Sequence, residues 1–188
     1  MTKLKYGVAA AVLSCSTAVS AANFAPSGVA FEYGNSDSTN SDVNLYRVGL
    51  QWDWKTRWFD TGNWHLGGYW DLGLAYWDNR TIAPLRTHDS ITDIEFTPVF
   101  RIQQNKPTGL SPYLEAAIGF HFLSATSVST QRAFGSSFQF GDHIGAGLRF
   151  GDKGQFDLGY RYQHLSNAGI KEPNQGINFH QVRLQYHF

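Results

Sequence analysis

Apolar and polar residues alternate with a period of two along most of this chain. The clearest run is at its C-terminus, where Val182, Leu184, Tyr186 and Phe188 interleave with Arg183, Gln185 and His187. A period of two puts successive side chains on opposite faces of a β-strand. The same alternation runs from Phe156 to Tyr162 and recurs from Phe138 to Phe150, Leu114 to Phe122, Ile94 to Phe100, Leu66 to Tyr76 and Tyr46 to Trp54. With a first strand near Val29, Phe31 and Tyr33, the pattern predicts eight strands and shows no helical periodicity.

The faces opposite the apolar series carry Glu32, Arg47, Asp53, Asp71, Asp93, Glu95, Arg101, Glu115, Arg149, Asp157, Arg161 and Arg183. A soluble sandwich would bury the apolar faces, but here those faces are long, aromatic and present on every strand. The inverse arrangement fits better, with apolar side chains toward lipid and polar ones toward a lumen. The predicted fold is therefore all-β: an eight-stranded antiparallel transmembrane β-barrel of the outer-membrane type. Eight strands leave room only for side chains inside, so the acids and bases should pair into a plug. Short turns are expected at Asp60–Asn63, Asn105–Gly109 and Gly151–Gly154, and longer loops at Asn35–Ser41, Asp78–Ser90, Ser124–Ser136 and Leu165–Gly176. In barrels of this kind the short turns are periplasmic and the long loops extracellular. Trp52, Trp54, Trp58 and Trp64 then cluster at the periplasmic interface as an aromatic girdle.

Residues 1–21 read as a cleaved secretory signal, with Lys3 and Lys5 before a short apolar run and a small-residue site at Val19-Ser20-Ala21. Residues 22–188 are left as one barrel domain. The lone cysteine, Cys15, falls in the leader, so the mature chain has no disulfide; the competing reading is a lipid anchor at Cys15 after Val12-Leu13-Ser14. Removing the leader takes two of 15 basic residues and none of 15 acidic ones, leaving a net charge of −2. A near-neutral chain argues against a nucleic-acid partner.

Among seven histidines, His65, His121 and His143 fall on the lumen side, His88 in a loop, and His180 and His187 beside strand positions with no obvious partner. No spacing suggests a metal site. His164 differs, because it extends the outward series 156, 158, 160, 162 and so points toward lipid. A titratable group there is a functional signal by default. Ser166 follows two residues later and Asn167 comes next. Taken alone, the pair reads either as a catalytic base and nucleophile or as an incidental interfacial pair.

The segment His164-Leu165-Ser166-Asn167-Ala168, followed by Pro173-Asn174-Gln175-Gly176-Ile177, resembles the motif of PagL-type lipid A 3-O-deacylases. That resemblance implies an outer-membrane esterase, without metal or cofactor, whose active site faces lipid at the extracellular leaflet. It implies Ser166 as nucleophile and His164 as base, with Asn167, Asn174 and the backbone at Ala168 as oxyanion-hole candidates. The partner is lipid A, or lipopolysaccharide, in the outer leaflet; a homodimer is left open. The family's third triad position, a glutamate, falls here on Asn178, which can orient an imidazole but not balance its charge. Pairing Phe150 with Phe156 puts Asp142 opposite His164 as an alternative acid, and Glu172 is a weaker candidate. Two rival readings remain: a structural or adhesive barrel, and another lipid enzyme such as an acyltransferase or phospholipase.

Overall fold

The computed structural model describes residues 24–37, 41–107 and 109–188; the leader, with Cys15, lies outside the described residues. In chain order the strands are β1 (Gly28–Ser36), β2 (Val43–Asp53), β3 (Trp64–Asn79), β4 (Ser90–Gln104), β5 (Ser111–Leu123), β6 (Ser127–Ser129), β7 (Arg132–Ala133), β8 (Phe138–Phe150), β9 (Phe156–Ser166) and β10 (Ile177–His187). Eight of them close into an antiparallel barrel, with β1 sealed against β10, while β6 and β7 form a small hairpin in the connection between β5 and β8. Among the described residues there is no helix.

The alternation predicts both faces correctly over the middle of the wall. Phe31, Val48, Leu72, Phe96, Ile118, Leu158 and Leu184 are exposed, as are their outward neighbours, giving a continuous apolar belt that only hydrocarbon can solvate favourably. Inside, Arg47 meets Glu32, Asp71 (2.9 Å) and Glu95, and Arg101 meets Glu115 and Asp157, both at 2.7 Å. Arg161 reaches Glu115 at 2.6 Å, and the Tyr69 hydroxyl accepts from Arg161 and Arg183, each at 2.7 Å. Each of these buried arginines thus has several partners, which is what keeps its charge tolerable in a closed lumen.

Four expectations need correction. The inner face is not polar throughout: toward the long loops it becomes a dry core of Val43, Leu45, Trp77, Ile91, Leu123, Leu165, Ile177 and Phe179, sealed by Val128 and Phe134 from the β5–β8 connection. On β2, β3 and β5 the outward neighbours Tyr46, Tyr76 and Phe122 are apolar too, so on those strands alternation is lost there. Asp53 is exposed and Arg149 only half-buried, because both sit where the wall ends. His180 and His187 do have partners: His180 Nδ1 meets the Tyr160 hydroxyl at 2.5 Å, and His187 Nδ1 lies 3.2 Å from Gln51 Nε2. Finally, the β2–β3 connection runs from 54 to 63, longer than the 60–63 turn expected and longer than the 37–42 loop at the opposite end. In the girdle Trp54 touches Trp58, Trp70 and Phe100.

Candidate active site

β9 keeps its alternation to its last residue, so Tyr160, Tyr162, His164 and Ser166 face out while Arg161, Gln163 and Leu165 are buried within. β8 and β9 pair with Phe150 opposite Phe156, which places Asp142 directly across from His164; on the other side β10 places Asn178 across from it. Of these two neighbours Asn178 makes the contact, its Oδ1 accepting from His164 Nδ1 at 2.6 Å. Asp142 is exposed, and among the described residues its carboxylate has no hydrogen bond or ion pair. With the proton held on Nδ1, the Nε2 lone pair is left as the basic site of a neutral imidazole.

That free edge of the ring lies over Gly176. A Cβ at Gly176 would come within 2.9 Å of His164 Cε1 and 2.8 Å of the Leu165 carbonyl, and the residue has φ +63°. Both facts demand glycine. Ser166 pairs across the sheet with Phe140. Phe120, Phe138 and Phe140 continue from it as a run of rings with centroids 5.0 to 6.1 Å apart, an apolar surface suited to an acyl chain. The Ser166 hydroxyl has no hydrogen-bond partner among the described residues.

The loop after Ser166 is held by Asn167. Its side chain is fully buried, with Nδ2 donating to the Phe134 and Lys171 carbonyls at 2.7 and 2.6 Å, and its backbone N–H donates to Asn174 Oδ1 at 2.9 Å. The Asn167 N–H and Nδ2 are thus engaged in building the loop. Ala168 at φ 55° and Gly169 at φ 77° turn the chain sharply, and among the described residues their N–H groups and Asn174 Nδ2 have no acceptor. A non-glycine residue such as Ala168 at positive φ stores strain that the surrounding hydrogen bonds must hold. Glu172 does not reach the imidazole; its Oε2 accepts from the Asn174 N–H at 3.0 Å.

Three contributors were not singled out in the sequence. Gly176 stood in the motif with no role attached. Arg132 donates from Nη1 to the Gly176 carbonyl, and partial burial lowers its pKa from the ordinary arginine value. Ala133 N–H donates to Gln175 Oε1 at 2.8 Å, so the β6–β7 hairpin is latched onto the loop that carries the motif. Contacts between loops leave no periodic mark, and a lone arginine in a polar loop is unremarkable there. In the lumen, Asp93, Glu95 and His121 set potential metal-ligand atoms within 4.8 Å of one another, a proximity created by register rather than spacing. His121 Nδ1 lies 2.9 Å from Asp93, and Glu95 is shared with Arg47, so we read the group as part of the ion network.

A family model described as lipid A 3-O-deacylase (PagL) matches residues 44–187. The lipid A deacylase PagL of Pseudomonas aeruginosa is 38% identical over 167 residues, covering 89% of this chain and 90% of that one. The lipid A deacylase PagL of Bordetella bronchiseptica is 35% identical over 190 residues, covering 97% and 94%. Among solved structures, the outer membrane enzyme PagL superposes with a TM-score of 0.73 at 34% identity, over 86% of this chain and 99% of that one. Neisserial surface protein A, at 11% identity and a TM-score of 0.50, shares the barrel alone. With most of its barrel matched by the family model and two relatives above one-third identity, this chain belongs to the PagL family of lipid A 3-O-deacylases.

Proposed function

We propose that this chain is an outer-membrane esterase that removes the acyl chain ester-linked at position 3 of lipid A, using Ser166 and His164 at the extracellular leaflet. The observation that carries the mechanism is the 2.6 Å contact from His164 Nδ1 to Asn178 Oδ1, which leaves Nε2 as a base beside an unpartnered serine hydroxyl on the same outward face. Ser166 Oγ attacks the ester carbonyl as Nε2 takes its proton, forming a tetrahedral oxyanion. Collapse breaks the bond to the sugar oxygen, which receives that proton, and leaves an acyl-serine. Water, deprotonated by the same Nε2, then releases the fatty acid and restores the hydroxyl.

The oxyanion is met by the N–H groups of Ala168 and Gly169 and by Asn174 Nδ2, the unsatisfied donors of the loop, while Asn167 keeps that loop in shape. Asn178 holds the ring by hydrogen bonding alone. The wall beside Ser166 is apolar and faces the bilayer, so a lipid substrate reaches the nucleophile by lateral diffusion, without leaving the membrane. The long-loop end carries the site, and by the usual topology of outer-membrane barrels that end is extracellular.

Mass spectrometry of lipid A from cells with and without the chain tests this reading. Loss of one 3-linked hydroxyacyl chain, abolished by Ser166→Ala, is expected. Gain of a chain would make the protein a transferase, and an unchanged lipid A would make it a non-enzymatic barrel.

A further inference from the structure

At the opposite end of the barrel the wall has a step. β2 stops at Asp53, opposite Tyr69, so the first residues of β3 pair with β4 on one edge and have no β2 residue along the other. The chain after β2 folds back over this edge: Trp54 N–H donates to the Gly68 carbonyl at 2.8 Å, and Trp58 exchanges hydrogen bonds with Leu66 at 2.8 and 2.9 Å. Gly68 permits this approach, since a Cβ there would meet Trp54 Cε3 at 2.6 Å. Two grooves result. One, of about 710 Å³, is walled by Trp54, Trp58, Pro98 and Phe100. The other, of about 560 Å³, is walled by Phe24, Trp52, Leu72 and Phe96. Asp53, Lys55 and Trp70 line both, and Trp70 is braced by stacking on Phe96 at 5.3 Å.

Both grooves open onto the apolar belt, where the surrounding solvent is acyl chain, so their natural occupants are hydrocarbon. They lie side by side with one charge pair common to both. Lys55 is exposed, and among the described residues its ammonium has no hydrogen bond or ion pair. Asp53 is exposed too, accepting one hydrogen bond from Gln51 Nε2 at 3.1 Å. Two apolar channels beneath an adjoining cation and anion match a molecule with two tails, a phosphate and an ammonium. We propose that this step binds one diacyl phospholipid with a primary-amine headgroup, one tail in each groove, the phosphate at Lys55 and the ammonium at Asp53. A primary ammonium can donate hydrogen bonds to a carboxylate, and a quaternary one cannot, so the site discriminates between amine and choline headgroups. The indole N–H groups and ring faces of the tryptophans suit the same interfacial depth. Nothing in this assignment depends on the deacylase site at the far end.

Native mass spectrometry of the folded mature chain, released from detergent and titrated with dioleoyl phosphatidylethanolamine, tests the proposal. One bound lipid is expected at sub-stoichiometric detergent carry-over, with phosphatidylcholine and lysophosphatidylethanolamine each bound about tenfold more weakly, the size of one lost charge-assisted contact or one unfilled groove. Lys55→Glu should weaken binding by a similar factor, and it sits in an exposed turn where folding does not need it; heat-modifiable mobility on gels confirms the barrel. Trp70→Ala should abolish the preference for two tails over one, and deacylation of lipid A should be unchanged in both variants. Equal binding of the amine and choline lipids, or a Lys55→Glu protein that binds like the original, overturns the proposal.

Discussion

Asn178 accepts from His164 Nδ1 through a neutral carbonyl, and that decides how the two candidate partners of the imidazole should behave on mutation. Removing the acceptor frees the ring to turn and to change tautomer, so Asn178→Ala should lower kcat by about a hundredfold, the lower range for losing a positioned general base. Asn178→Glu restores a charge for the imidazolium and should keep or raise activity. Asp142 is exposed and touches no part of the ring, so Asp142→Asn should change the rate by no more than about fivefold, as exposed charge interactions do. Turnover on lipid A in detergent measures all three, and a collapse in Asp142→Asn alone would transfer the partner role to the carboxylate. The sequence brought His164, Asp142 and Asn178 together through parity, register arithmetic and motif resemblance. It could not choose between the two neighbours, because that depends on which side chain turns toward the ring. Nor could it see that Asn167 is consumed in holding its own loop.

Among the elements, the strands were legible and the connections were not. A strand writes its two environments into alternate residues, and through the middle of the barrel these are hydrocarbon and an ion network, chemically opposite. Near the long loops both environments are apolar, so Leu45, Trp77 and Leu123 carry no sign that they point inward. Phe134 is the clearest case, a loop aromatic with no periodic neighbours that fills the top of the core against Trp77 while its carbonyl accepts from Asn167. It couples the β6–β7 hairpin to the active-site loop. Phe134→Ala should cost about 3 kcal/mol of stability through the cavity it leaves. It should also reduce deacylation more than Val128→Ala does, because the Asn167 anchor shifts only with Phe134. The temperature at which gel mobility shifts, compared with turnover, checks this; equal activity in the two variants would uncouple the hairpin from the site.

For the whole molecule, the ion network, dry cap and apolar belt form one closed wall, and the proposed site lies on its outer face. Orientation in the membrane is a property of this scale, and trypsin applied to intact cells reads it. Lys171 and Arg86 lie exposed at the long-loop end and Lys153 and Lys55 at the other. Cleavage after Lys171 or Arg86 with Lys153 and Lys55 spared is expected, and the reverse would put the site in the inner leaflet. The central claim is narrower: one serine on the lipid-facing wall is made nucleophilic by one histidine. A lipophilic fluorophosphonate, which forms a stable bond only with an activated serine, tests it most directly when added to outer membranes carrying the folded chain and followed by peptide mass mapping. The account predicts a single adduct on Ser166 that disappears in His164→Ala while the barrel stays folded. An adduct on another serine, or labelling of Ser166 that persists without His164, would contradict it.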